Sequence, residues 1–206
     1  MNIFLTVLRI ILYPIYRILF WYSIEGKENL PKDRSVVFCS NHISLLDPVL
    51  WLITIRRPRV HFMAKEELFK IPIFKNLITW ADAFPVRRGK GDTSAISESL
   101  DVIKKGHVLG IFPEGTRSKD GRPMRAKSGA AYIANESHVD IVPAAVVCKG
   151  KVRPFKRVRL IIGEPIPYDK VAFTKEDRRN GLRNASNVIM GSITELWEAG
   201  QQKCAK

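Results

Sequence analysis

Two short blocks, about seventy residues apart, hold residue types that can move a proton beside a bound anion. One spans 41–48 and reads Asn-His-Ile-Ser-Leu-Leu-Asp-Pro; the other spans 112–118 and reads Phe-Pro-Glu-Gly-Thr-Arg-Ser. His42 is one of four histidines, and neutral imidazole is the usual acceptor of a proton near neutral pH. Such a base works better when a carboxylate holds its second nitrogen and fixes the tautomer. Asp47 is the local candidate. On one regular helix a five-residue separation turns two side chains about 140° apart. They meet if His42 lies in the turn before a helix and Asp47 at its start. The plainer alternative makes Asp47 a helix cap and His42 a turn residue.

The second block offers a carboxylate, a hydroxyl and a guanidinium on one turn. Gly115 lets the backbone bend tightly there. Arg117 can fork onto phosphate oxygens, with exposed backbone N–H groups adding to the cradle. The GxxxxGK[ST] pattern of a Walker loop is absent. The alternative is a polar turn with a surface salt bridge. Arg87-Arg88-Gly89-Lys90 is a dense basic turn that either grips a phosphate or is solvated. Residues 149–159 hold six basic side chains interleaved with Val152, Phe155 and Val158. They form either an anion-facing surface or a strand edge guarded by charge. His61, His107 and His138 lack spaced ligand partners, so no metal site is expected.

The elements that must position these groups alternate along the chain. Residues 35–40, 59–63, 83–86, 107–112, 141–147 and 158–162 read as short strands, several of them continuously apolar. Helical patterns fall between them at 48–55, 66–80 (broken at Pro72), 92–105 and 127–135, and a long amphipathic helix is expected over 175–199. Alternation of this kind argues for an α/β fold on a largely parallel sheet. Ligands usually bind at the carboxyl ends of such strands. Both blocks and the Arg87-Arg88 pair lie just after expected strands, so they can converge on one rim.

The amino-terminal segment stands apart. Residues 1–22 carry twelve Leu, Ile, Val or Phe side chains and two arginines, Arg9 and Arg17. No early positive region and no small-residue cleavage site mark it as a signal peptide. On a helical wheel Asn2, Thr6, Arg9, Tyr13, Tyr16 and Arg17 fall within about 100° of arc, and the rest of the cylinder is apolar. The gain from inserting the apolar side chains and the cost of burying the arginines nearly balance. The one-sided polar stripe suits a helix embedded in the interface with its arginines at the headgroups. A single span and a core-packing helix are the alternatives. The chain is thus expected to divide into a membrane-interfacial helix over 1–22 and a catalytic unit over 23–206, monotopic on the cytoplasmic face of the cell membrane.

The net charge of +14 fits a nucleic acid, an anionic membrane or an anionic small substrate. The three cysteines, Cys39, Cys148 and Cys204, have neither CxxC nor Cys/His spacing. A disulfide framework is not expected, and a reducing compartment is.

Taken together and in order, these blocks resemble the glycerolipid acyltransferase family over roughly residues 25–165. His42 to Asp47 looks like its HxxxxD block. Residues 84–89 look like its second block, whose arginine falls on Arg88. Residues 112–118 match its FPEGTRS block, and 141–144 look like its fourth, apolar-Pro block. Residues 62–65 and 127–129 also sit where the family has similar runs. Arg87 departs from the pattern, since an acidic residue is common there. The resemblance implies a mixed, largely parallel central sheet flanked by helices, and no cofactor. It implies acyl transfer from a thioester, acyl-CoA or acyl-carrier protein, to the free hydroxyl of a lysophosphatidate, giving phosphatidate for phospholipid biosynthesis. In that reading His42 takes the hydroxyl proton and Asp47 orients it. Arg88, Glu114, Gly115, Thr116 and Arg117 form the acceptor site, with the two arginines on the phosphate and Lys65 as a further phosphate ligand. Other acceptors fit the same chemistry: glycerol-3-phosphate, another lysophospholipid or an acylated amino lipid. A non-enzymatic protein binding anionic membrane or nucleic acid would use the charge but leave both blocks unexplained, and no nucleic-acid fold signature is present.

Overall fold

The computed structural model of the chain describes residues 3–55, 59–87 and 93–205. A leading helix, α1 (Ile3–Phe20), precedes an alternation of strands and helices. These are β1 (Ser23–Glu25), β2 (Val37–Ser40), α2 (Asp47–Thr54), β3 (Val60–Lys65), α3 (Pro72–Trp80), β4 (Ala83–Val86), α4 (Thr93–Lys104), β5 (Val108–Ile111), α5 (Gly129–Ser137), β6 (Ile141–Cys148), β7 (Val158–Ile162) and α6 (Arg178–Ala205). The strands form one sheet in the order β1-β7-β6-β2-β5-β3-β4. Only β6 and β7 pair antiparallel; the other neighbours are parallel. The α/β architecture expected from the alternation is the one found.

β2, β5 and β6 are buried along their whole length. That follows from their continuous apolar sequences, since both faces of the sheet are covered. Val36 and Phe38 face one side, where α1 and α2 pack, and Phe38 meets Trp51 edge-on at 5.4 Å. Val37 and Cys39 face the other side, under α4, α5 and α6. Gly110 has to be bare, because a Cβ there would lie 2.6 Å from the Trp51 ring. The missing side chain lets a fully buried indole lie flat on β5.

Sheet register then sets up the site. β2 sits between β5 and β6, with Cys39 opposite both Ile111 and Pro143. Because β2 and β5 run parallel, the segments that follow them leave the sheet side by side.

Three elements differ from the sequence-based expectation. β1 was not expected: three residues carry no readable alternation. It is held by pairing with β7 and by Arg159 and Lys203 converging on Glu25. Residues Glu66–Lys70 form a tight 3₁₀ turn, and α3 starts at the Pro72 break. α6 runs to Ala205, beyond the expected end.

Among the described residues no helix is long and apolar enough to cross a membrane. α1 packs on the body through Leu8, Leu12, Tyr16, Leu19 and Phe20. The expected placing of its arginines needs correction for Arg9. Its guanidinium turns inward and donates to the carbonyls of Leu52 and Ile55, at 2.7 and 3.0 Å, at the end of α2. Two carbonyls without helical partners attract it there. Tyr16 Oη likewise donates to the Leu46 carbonyl at 3.0 Å. The outer face of α1 is therefore apolar, with Val7, Ile10, Ile11 and Ile18 all exposed.

Candidate active site

The turn between β2 and α2 carries His42 and Asp47. His42 Nδ1 lies 2.8 Å from Asp47 Oδ2. The same oxygen accepts the backbone N–H groups of Ile43 and Ser44 at 2.7 and 2.8 Å. The pairing read from the spacing is the one found; Asp47 is not the helix cap, since Leu46 holds that position without a side-chain bond and the Asp47 carboxylate turns back to the amides of the preceding turn. Asp47 is 1 % exposed and His42 7 % exposed. In the tautomer that donates Nδ1–H to this carboxylate, Nε2 is the acceptor nitrogen.

The segment after β5 fastens this turn from the other side. Glu114 Oε1 accepts the backbone N–H of His42 at 3.2 Å. Ser118 donates its own N–H to the His42 carbonyl at 2.8 Å. Phe112 lies flat against the imidazole, ring centres 3.9 Å apart, and against Trp51 on its far side at 4.1 Å. His42 is therefore fixed through its ring and through both of its peptide groups.

Glu114 does not sit at the rim as an acceptor ligand. It is 3 % exposed, beneath the histidine turn, and its Oε2 has no partner among the described residues. Burial pushes its carboxyl up to about 7, against the lowering effect of N–H bonds from His42 and Met124. Its place is that of a strut under the His42 turn. Gly115 follows with φ +68°, the left-handed region that suits glycine, and the aliphatic end of Lys127 lies over it. Thr116 and Arg117 are exposed beyond that bend.

Arg117 lines a cleft of about 540 Å³ together with Ile43, Ser44, Leu45, Lys119 and Lys151. This cleft joins the backbone next to the histidine to three cations from two loops. A second hollow, of about 660 Å³ and mostly apolar, starts at Phe112 and Gly115 and runs between α4 and α5.

Arg88 is outside the described residues. Lys65 is exposed, pairs with Glu67 at 3.1 Å, and lines neither hollow. Arg87, the departure from the family pattern, forks onto Glu66 with bonds of 2.9 and 3.2 Å. Cys39 is fully buried and its thiol is pushed well above the ordinary range by desolvation, so it is no nucleophile.

Two contributors escaped the sequence reading. Asn41 is completely buried, and its amide brackets Val146 on β6, donating to the carbonyl at 2.9 Å and accepting from the N–H at 2.7 Å. Its position beside His42 was the only hint. The sequence pattern places Phe112 at the end of a strand, and nothing local signals a ring against the imidazole.

Comparison with known proteins gives a consistent picture. The family model described as Acyltransferase matches residues 22–147. The 1-acyl-sn-glycerol-3-phosphate acyltransferase of Bacillus subtilis (strain 168) is 35% identical over 177 residues, covering 84% of this chain and 87% of that one. A chloroplastic 1-acyl-sn-glycerol-3-phosphate acyltransferase of Brassica napus is 32% identical over 86% of this chain. The chain spans about half the length of that protein and of a chloroplastic relative from Arabidopsis thaliana. The crystal structure of the 1-acyl-sn-glycerophosphate acyltransferase of Thermotoga maritima aligns with a TM-score of 0.64 at 32% identity, covering 85% of this chain and 71% of that one.

Proposed function

Because the chain belongs to the acyltransferase family, we propose that it moves a fatty acyl group from a thioester to the free hydroxyl of 1-acylglycerol-3-phosphate, giving phosphatidate. The donor is acyl-CoA or an acyl-carrier protein. The observation that carries this reading is His42 held at Nδ1 by a buried carboxylate, next to a cleft with Arg117.

In the proposed reaction His42 Nε2 takes the proton of the acceptor hydroxyl as that oxygen attacks the thioester carbonyl. Asp47 stabilises the imidazolium that forms. Collapse of the tetrahedral intermediate breaks the carbon–sulfur bond, and the leaving thiolate takes the proton back from Nε2. A positioned base of this kind contributes about 10²–10⁴-fold. Arg117 meets the acceptor phosphate as a bidentate fork, with Arg88 as its partner. Gly115 and Thr116 shape the bend that presents Arg117, and Glu114 props the base. Holding the two substrates together can supply up to about 7–11 kcal/mol of the barrier. The phosphate grip should therefore raise kcat as well as binding.

Residues 1–22 act as the membrane-interfacial element and 23–206 as the catalytic unit. The exposed apolar face of α1 supports this division, because an unpartnered stripe of that kind suits the acyl boundary of an anionic membrane. The test is product analysis: purified chain, labelled acyl thioester and lysophosphatidate should yield labelled phosphatidate. Labelling of a different acceptor in a mixed panel would reassign the substrate. Full transfer by His42→Ala would end the mechanism.

A further inference from the structure

The apolar hollow that starts at Phe112 does not end at α5. Ser128 and Leu182 line it and also line a third hollow of about 460 Å³, so the two adjoin. The first is walled by side chains such as Ile96, Ile133 and Leu182. The second is walled by Arg125, from the loop before α5, and by Arg179 and Arg183 on α6. Arg179 and Arg183 are four residues apart, which puts them one turn apart on a single helix face. All three arginines are exposed, and none has a hydrogen bond or ion pair among the described residues. Lys127 and Arg178 line the apolar hollow, and Arg178 lies over the Tyr132 ring at 5.1 Å. No carboxylate lines either hollow among the described residues.

Three guanidiniums around one concavity repel one another. An arrangement of that kind is held at a cost unless a multiply charged anion neutralises it. The apolar hollow adjoins them and has in its lining Phe112, whose ring stacks on His42. A ligand that fills both hollows is a long molecule, anionic at the arginine end.

We propose that the Arg125–Arg179–Arg183 cleft seats the phosphates of a nucleotide-borne acyl thioester, acyl-coenzyme A, with its pantetheine arm following the apolar hollow towards Phe112 and His42. The inference rests on the acyl-transfer reading and extends it by choosing the donor. Concavity favours the nucleotide over a carrier protein. Guanidinium forks that line a hollow match compact phosphates, whereas the spread carboxylates of a folded carrier need an open basic surface.

The test uses the full chain in detergent and two double variants. Arg179→Glu with Arg183→Glu reverses charge in the cleft; Lys104→Glu with Lys105→Glu does so at the opposite end of the sheet. Calorimetric binding of coenzyme A itself needs no turnover. It should weaken about tenfold or more in the first variant, hold in the second, and fall with salt in the unaltered chain. The KM for acyl-coenzyme A should rise by a similar factor, while the KM for a phosphate-free acyl thioester stays unchanged. Unchanged coenzyme A binding in the arginine variant would overturn the proposal. So would an equal loss with the phosphate-free donor, or a loss confined to a carrier-protein donor. Absence of transfer from every thioester would instead sink the acyl-transfer reading and leave the binding experiment to decide this one.

Discussion

The carboxylate of Glu114 accepts the backbone N–H of His42 across 72 residues of chain. With the Ser118 N–H on the His42 carbonyl, it makes the loop after β5 the support of the turn after β2. The two sequence blocks are therefore the His42 turn and its brace, joined by the parallel register that sets Cys39 opposite Ile111.

Glu114 binds its proton more tightly in the folded chain than in the unfolded one, because burial raises its carboxyl to about 7. The stability this contributes is complete below the ordinary carboxylate range and is lost as pH rises through about 7. Glu114→Gln keeps an acceptor for His42 and does not titrate. Relative to the variant, the unaltered chain should lose up to about 3 kcal/mol between pH 5 and pH 8. Urea unfolding of both at the two pH values measures this, and parallel profiles would refute it.

Asp47→Asn should cut transfer by about 10²-fold or more, because the amide no longer favours Nδ1–H or stabilises the imidazolium. His42→Ala should be lower still. Circular dichroism should show both folded. A normal rate in either variant, with lysophosphatidate as acceptor, would contradict the assigned base.

Asn41→Ala leaves the N–H and carbonyl of Val146 without their buried partner. The expected cost is about 2–4 kcal/mol, a fall in Tm of roughly 5–15 °C for a chain of this size. Differential scanning calorimetry reads it directly. A shift within error would mean the strand end closes on other partners.

Arg117→Ala should raise the KM for lysophosphatidate about tenfold or more, since a bidentate phosphate contact is lost. An uncharged monoacylglycerol acceptor should be used equally by both forms. Matching losses with the two acceptors would remove the phosphate from the role of Arg117.

Ile10→Glu with Ile18→Glu places charge on the outer face of α1, where both side chains are 67% exposed. Little change in Tm is expected, because neither side chain packs on the body. Association with anionic vesicles should fall sharply. Undiminished co-sedimentation would place the membrane contact elsewhere.

Much of this was legible before any coordinates. Strands such as 141–147 announce themselves because both faces are covered, so every residue is apolar. The His42–Asp47 pair was readable as a possibility, since five residues spanning a turn into a helix can close. What stayed hidden depends on contacts between distant segments. Nothing near Glu114 says that its carboxylate points down at a peptide rather than out at a ligand. Likewise the wheel of α1 grouped Arg9 with the polar stripe, but only the position of α2 decides that it points inward. Asn41 finds its partners 105 residues away, beyond the reach of any local pattern.

α1 touches α2 at both ends, through Tyr16 on the Leu46 carbonyl and Arg9 on those of Leu52 and Ile55. Asp47 begins that eight-residue helix, a rod about 12 Å long. Splinted this way, α1 and the His42 turn move as one body. With α1 resting on a lipid surface, its immersion would set the draught at which the imidazole floats, and lengthening α2 by one turn would shift the waterline rather than the chemistry.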